Sequence, residues 1–180
     1  AFDGQNGQLV RSFFAFDPTF AGGVSVAAGD ITGDGKAEVV VGAGAGGAPH
    51  VKVFDGATGA EIRSFYAFPG FTGGVNVAVA GGDVIVGAGN GGGPVFAGYD
   101  LASGVTQTFS LFAFDPGFRG GVRVAGSENL IAVAAGVWWS RSDETAAESS
   151  ASPPASKPTT SSPPPPPMPE QPAPEDSVLV

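Results

Sequence analysis

The sequence predicts an all-β fold made of repeated four-stranded units, followed by a proline-rich tail. Residues 1–140 contain one sequence unit repeated about three times, and the repeats start at Phe2, Phe54 and Tyr99. The starts lie about 45 to 52 residues apart, a period that is typical of propellers, solenoids and arrays. No segment of this region shows helical spacing of its apolar residues over ten or more positions.

Each unit is expected to form four short strands. In the first full unit, VSVAAG, AEVVVGA, HVKVF and EIRSFYAF are rich in Val and Phe and are bounded by Gly, Asp-Gly and Thr-Gly turns. Four strands in about 50 residues are typical of a β-propeller blade. We therefore expect about three four-stranded blades, a partial propeller, within residues 1–141: half blade 1–20, blade 21–71, blade 72–118 and half blade 119–140.

Composition excludes several function classes. Only 14% of the residues are charged and the net charge is −9, which argues against nucleic acid, because its phosphates are met by an excess of Lys and Arg. The absence of cysteine rules out disulfides, cysteine-ligated zinc and thiol catalysis. The longest apolar run, residues 130–139, is too short to span a bilayer. We expect no nucleic-acid partner and no membrane span.

The tail begins near residue 142. Residues 142–180 contain no Gly and no aromatic residue, but eleven Pro and eleven Ser or Thr. Such a segment buries too little apolar surface to offset its chain entropy, so it is expected to be a disordered, semi-stiff spacer. The alternative is a proline-rich ligand for an aromatic-groove domain, because PPPPPMP contains P-x-x-P.

A glycine run raises the question of a nucleotide site. Gly42, Gly44 and Gly47 have the G-x-G-x-x-G spacing that lets a backbone approach a pyrophosphate at a helix N-terminus. Pro49 and the strand-like HVKVF follow, however, and a similar run at residues 87–93 also precedes a proline. The repeated pattern favours a strand connector over a cofactor site.

These features resemble the FG-GAP family of β-propeller repeats, also called VCBS-like repeats. The resemblance rests on Gly-Ala-Pro at 47–49, its weaker copy at 92–94, the FDG-x-x-G stretch at 54–59 and an acidic loop at 30–38. It covers about residues 1–138. Such repeats occur in integrin α-chains and bacterial surface proteins, so the resemblance implies a secreted or surface-exposed module.

The resemblance also implies a calcium loop, D-x-[DN]-x-[DN]-G-x-x-D. In GDITGDGKAEVV the matching ligand positions supply carboxylates, a hydroxyl and a backbone carbonyl, the oxygen donors that Ca²⁺ prefers: Asp30, Thr32, Asp34, Lys36 and Glu38. Thr32 and Glu38 depart from the family pattern, so we expect weak affinity, with Kd roughly 10⁻⁴–10⁻³ M. The alternative is a plain hairpin turn, since Asp-Gly is a strong turn dipeptide.

Few residues suggest catalysis. His50 is the only histidine, so any Ser-His-Asp triad would have to use it, and we interpret it as a surface residue. Trp138 and Trp139 could stack on a carbohydrate, but we assign them to the core. Aromatic residues that recur in every unit are expected to pack between neighbouring blades: Phe13, Phe14, Phe16, Phe20, Phe65, Tyr66, Phe68, Phe71, Phe112, Phe114 and Phe118.

The sequence therefore predicts a non-enzymatic β-propeller module for binding or adhesion, with a protein or a glycan as ligand and one structural Ca²⁺. The alternative is part of a larger extracellular hydrolase or carbohydrate-active protein that carries a propeller. Three blades would leave apolar flanks, because closed propellers have four to eight. We expect such flanks to be covered either by missing blades of a larger propeller or by self-association of copies.

Overall fold

The structure is a computed structural model that describes residues 1–136, and within them the fold is all-β with no helix. This confirms the predicted fold class. The ten strands are short and follow one another in the chain: β1 Val24–Gly29, β2 Glu38–Ala43, β3 His50–Phe54, β4 Glu61–Tyr66, β5 Val75–Ala80, β6 Asp83–Ala88, β7 Val95–Asp100, β8 Thr106–Phe112, β9 Val122–Ser127 and β10 Leu130–Ala135.

The strands form three antiparallel sheets in chain order. The first sheet is β1-β2-β3-β4, the second is β5-β6-β7-β8, and the third is the pair β9-β10. The starting register is the same in each, with Val24 opposite Ala43 in the first sheet and Val75 opposite Ala88 in the second. The sequence repeat is thus a structural repeat, in which each unit starts its sheet with the same hairpin.

Two apolar cores separate the three sheets. The larger lies between the first and second sheets, where alternate valines of both are fully or almost fully buried, together with Tyr99 and Leu101. The smaller, between the second and third sheets, is built on Ala78, Ala80 and Ile85. The second sheet is therefore covered on both sides, and its strand β6 is buried at nearly every position.

Neighbouring sheets approach closely at one glycine of the second strand. A Cβ on Gly42 would lie 2.9 Å from Val75 Cγ2 and 2.9 Å from Val77 Cγ1. At Gly87, the same position one unit later, a Cβ would overlap the carbonyl oxygen of Val122. Glycine at this position lets a valine pair of the following unit pack directly on the backbone.

Polar side chains of the innermost strands link successive units. Ser25 Oγ accepts a hydrogen bond from the Val77 N–H at 3.0 Å. Asn76, at the same position in β5, donates from Nδ2 to the carbonyl oxygen of Val122 at 2.9 Å. These bonds connect strands that are not paired in a sheet, and they satisfy edge groups that would otherwise need water.

The expectation that every repeated aromatic residue packs between blades is wrong at one position of each unit. Phe14, Tyr66 and Phe112 are 77%, 59% and 63% exposed. Alternate side chains of an extended segment face opposite sides, so a side chain next to an inward-facing one points to solvent. Phe65, directly before Tyr66, packs against the core between the first two sheets.

Trp138, Trp139 and the predicted tail at 142–180 lie outside the described residues. The residues that the structure describes form no helix long and apolar enough to cross a membrane.

Candidate metal-binding loop and histidine cluster

The acidic loop connects β1 to β2 and is organised around Asp30. Its Oδ1 accepts hydrogen bonds from the N–H groups of Gly33 at 2.7 Å and Asp34 at 3.2 Å. Its Oδ2 accepts one from Gly35 at 2.9 Å. Gly33 and Gly35 have φ of 76° and 82°, values that a residue with a Cβ adopts only with strain. The Asp30 carboxylate thus holds the loop in a tight turn.

Glu38 closes the loop from the first position of β2. It is 2% exposed and is the only charged side chain among the described residues that is classed as buried. Its Oε2 accepts hydrogen bonds from the N–H groups of Ile31 at 2.9 Å and Thr32 at 3.1 Å. No Lys, Arg or His of the described part forms a salt bridge with it. A buried carboxylate without a cation is costly, so these backbone bonds are essential to its placement.

The remaining predicted ligands lie on the solvent side of the loop. Thr32, Asp34 and Lys36 are exposed. Asp34 Oδ1 accepts a hydrogen bond from the Lys36 N–H at 2.9 Å, and the Lys36 ammonium lies 3.9 Å from Asp34 Oδ2. Asp34 is therefore held in a local turn.

The donor types of this loop suit Ca²⁺, but their positions do not form a metal-binding group. Three carboxylates and a hydroxyl within nine positions are suitable donors for a hard cation. Within residues 1–136, however, no three acidic or histidine side chains converge as a metal-binding group. Asp30, Asp34 and Glu38 each direct oxygen atoms to backbone N–H groups, so an ion at this loop needs a rearrangement of side chains.

The loop is confined to the first unit of the described chain. β5 and β6 are joined by Gly81 and Gly82 alone, and β9 and β10 by Glu128 and Asn129. These two-residue connections have no room for a comparable set of oxygen donors.

The glycine run after β2 is a connector between strands. β2 ends at Ala43, β3 begins at His50, and no helix intervenes, so the geometry of a dinucleotide-binding turn is absent from this segment. A Cβ on Gly44 would overlap the Gly22 carbonyl oxygen, and one on Gly47 would lie 2.7 Å from the Phe20 ring. The glycines are needed because the segment before β1 packs against this backbone.

His50 lies in an aromatic cluster that the sequence did not reveal. Its ring stacks on Tyr66 with centroids 4.5 Å apart and meets the edge of Phe16 at 5.4 Å. His50 Nε2 lies 2.7 Å from Ser64 Oγ. Burial, and then the charge of Lys52, holds the pKa of His50 below its usual value, against an opposing effect of Glu61. The residue is half-buried, which differs from the expectation of a surface histidine.

The His50–Ser64 pair is not extended to a triad in the described part of the chain. No hydrogen bond or salt bridge joins the His50 ring to a carboxylate there. The two charged groups that act on the ring, Lys52 and Glu61, pair with each other, with Nζ and Oε2 2.8 Å apart. The signal for this cluster was available only in the strand pairing, which places His50 opposite Tyr66.

A succession of antiparallel sheets, each started by the same hairpin and packed on the next, defines a β-propeller-type repeat protein. Comparison with protein families supports this class: residues 22–60 match the model of the FG-GAP repeat. The match covers the acidic loop and the Gly-Ala-Pro connector, and it confirms the resemblance for this segment. FG-GAP repeats form non-catalytic modules and are typical of extracellular or surface proteins. No curated protein and no solved structure matches the chain.

Proposed function

We propose that this chain is a non-enzymatic binding or adhesion module of a secreted or surface-exposed protein. The observation that carries the proposal is the FG-GAP match at residues 22–60 on a sheet whose exposed connections are short loops. Loops held by a rigid scaffold are the usual place for ligand contacts. The ligand class is a protein or a glycan.

The second candidate function, part of an extracellular hydrolase or carbohydrate-active protein, is tested together with the first. The full chain is applied to immobilised polysaccharides, and both retention and release of reducing sugars are measured. Retention without turnover supports a binding module. Release of reducing sugars overturns it, and loss of that release in His50→Phe would assign the chemistry to the only histidine.

We further propose that the loop between β1 and β2 binds one Ca²⁺ weakly, with Asp30, Asp34 and Glu38 as carboxylate ligands. Support comes from the all-oxygen donor set and from Glu38, which is buried without a cationic partner in the described residues. Thr32 would add a hydroxyl and Lys36 its backbone carbonyl. The ion would supply the positive charge that Glu38 lacks, and its role would be structural.

Thermal unfolding with millimolar Ca²⁺ or with EDTA tests this site. At a ligand concentration tenfold above Kd, binding adds about 1.4 kcal/mol of stability, and Asp34→Ala should remove that gain. Asp115→Ala is a matched control, because Asp115 accepts a hydrogen bond from the N–H two residues later, as Asp34 does. Equal melting curves in Ca²⁺ and EDTA would show that the loop is only a turn.

A further inference from the structure

Strand β1 at the edge of the first sheet has an apolar side that the described residues leave uncovered. Val24 and Val26 of β1 are 54% and 65% exposed. Between this face and the N-terminal segment lies an open cleft of about 730 Å³, whose lining includes Phe2, Leu9 and Phe13. An exposed apolar surface of this kind marks an interaction site.

The repeat shows what covers this face in the other units. Val75 and Val77 stand where Val24 and Val26 stand in the first unit, and they are only 4% and 5% exposed. They are covered by the second strand of the preceding sheet at Gly42. Val122, the next equivalent, is fully buried. In each case the cover is the first hairpin of another unit.

The N-terminal segment already has the position of an outer strand of such a unit. The turn at Asp3 has the same two backbone hydrogen bonds as the turn at Asp55. The Asp3 N–H donates to the carbonyl oxygen of Gln8, and the Gly7 N–H donates to that of Asp3. In the second turn, the Asp55 N–H donates to the carbonyl oxygen of Ala60, and the Gly59 N–H to that of Asp55. A bridge joins Phe2 to Leu9, as Phe54 pairs with Glu61.

The contact of this segment with the first sheet also repeats a contact between sheets. Phe13 meets Phe54 with ring centroids 4.7 Å apart at 53°. Phe65 meets Tyr99, at the same positions one unit later, with centroids 4.8 Å apart at 46°. Residues 1–16 are therefore placed as the end of a unit whose first hairpin is not among the described residues.

The C-terminal end of the described residues contains a different part of a unit. The third sheet consists of the first hairpin of a unit, β9 and β10, and no strand of residues 1–136 pairs with the outer edge of β10. One end supplies the outer part of a unit and the other supplies its inner hairpin. Together the two ends supply the first, second and fourth strands of a unit, but not the third.

We propose that the β9-β10 hairpin of a second copy of this chain docks into the cleft, against Val24 and Val26. The contact continues an interface that the chain itself uses twice, between the first and second sheets and between the second and third. It is heterologous, because two different surfaces meet, so it produces rings or open chains of copies.

One residue limits the strength of this contact. Ala134 occupies, in β10, the position of Gly42 and Gly87, since it pairs with Arg123 as Gly42 pairs with Ser25. Its methyl group would press on Val24 and Val26 of the other copy. Relief of such overpacking favours the contact, so Ala134→Gly should tighten the dissociation constant roughly tenfold.

Sedimentation velocity on the full chain over a range of concentrations tests the docking. We expect concentration-dependent association that is lost in Val26→Asp and strengthened in Ala134→Gly. Leu111→Asp in β8 is the matched control for the first variant, because Leu111 is 54% exposed and belongs neither to the lining of the cleft nor to the β9-β10 hairpin. Ser110→Gly, also exposed in β8, controls for the effect of a strand glycine.

A mixing experiment tests whether two different faces meet. Val26→Asp blocks the cleft and Ala134→Arg blocks the hairpin, so each variant alone should be monomeric. Their mixture should give a 1:1 dimer through the one intact face on each copy. A full chain that is monomeric at every concentration, association that survives Val26→Asp, or a mixture without dimer would overturn the proposal.

Discussion

Tyr99 of the second sheet donates a hydrogen bond from its hydroxyl to the carbonyl oxygen of Ala67, at 2.7 Å, just after the end of the first sheet. The Tyr99 ring packs on Phe65, and the side chain is only 4% exposed. One residue thus combines apolar burial with a polar link between two units.

Tyr99→Phe should lower the free energy of unfolding by about 1 kcal/mol, because it leaves the buried carbonyl of Ala67 without this donor. Urea unfolding monitored by circular dichroism measures the change. Tyr66→Phe is the control, since Tyr66 is 59% exposed and removal of its hydroxyl should have little effect. Equal losses in the two variants would contradict the role of the link.

Stability should fall as the pH is lowered through the range in which His50 titrates. Its pKa is lowered in the folded chain, first by burial and then by Lys52, so folding favours the neutral ring. The resulting stabilisation is fully present above the unfolded pKa, about 6.5, and is lost as the pH falls through the lower folded value.

The variant His50→Phe keeps an aromatic ring between Phe16 and Tyr66 and removes the titration. Urea midpoints between pH 7 and pH 5 should decline in the parent chain and stay more nearly level in this variant. The same slope in both proteins would assign the pH dependence to other groups.

Asp30 should be more important for stability than Asp34 even without any metal ion. The Asp30 carboxylate accepts three backbone hydrogen bonds, whereas Asp34 accepts one from the Lys36 backbone. Hydrogen bonds to a charged group contribute about 1.5–3 kcal/mol each when buried and less at an exposed loop.

In EDTA, Asp30→Ala is therefore expected to lose about 2 kcal/mol and Asp34→Ala less than about 1 kcal/mol. Chemical denaturation of both variants provides the comparison. If Asp34→Ala proved the more damaging substitution in EDTA, the loop would not be organised around Asp30.

Strand pattern and repeat period were sufficient to predict the sheets, because alternation and glycine turns are local properties of the sequence. The same reasoning placed Phe14 and Tyr66 inside, since recurrence in every unit does not tell on which side of a strand a side chain lies. The cluster around His50 depends on the pairing of β3 with β4 and on the return of residues 11–20. Such contacts between distant segments have no local signature.

The loop at 30–38 shows the same limit in the candidate site. Its ligand types and spacing could be read from the sequence, and the structure places Asp30 and Glu38 at its two ends. That both carboxylates are taken up by backbone N–H groups follows from the folded path of the loop, which depends on the φ of Gly33 and Gly35. The sequence therefore shows which oxygen donors the loop contains, but only the folded structure shows whether these donors converge on one point.

Glycines of the connector should differ sharply in their tolerance of a methyl group. A Cβ on Gly44 would overlap the backbone carbonyl of Gly22, which cannot move without disturbing the 2.9 Å bond from the Gly44 N–H to Gly23. Gly46 has φ of 85° but open space around it. The first substitution creates a steric clash with backbone, and the second only conformational strain.

Gly44→Ala should therefore cost about 3 kcal/mol or more, and Gly46→Ala about 1 kcal/mol. Gly93→Ala is the neutral control, because a Cβ there would meet only Val95 Cγ2, at an ordinary 3.7 Å. Urea unfolding of the three variants ranks them directly. If Gly44→Ala proved as stable as Gly93→Ala, the backbone of the connector would not be in close contact with the segment before β1. The glycines of the connector would then need another explanation.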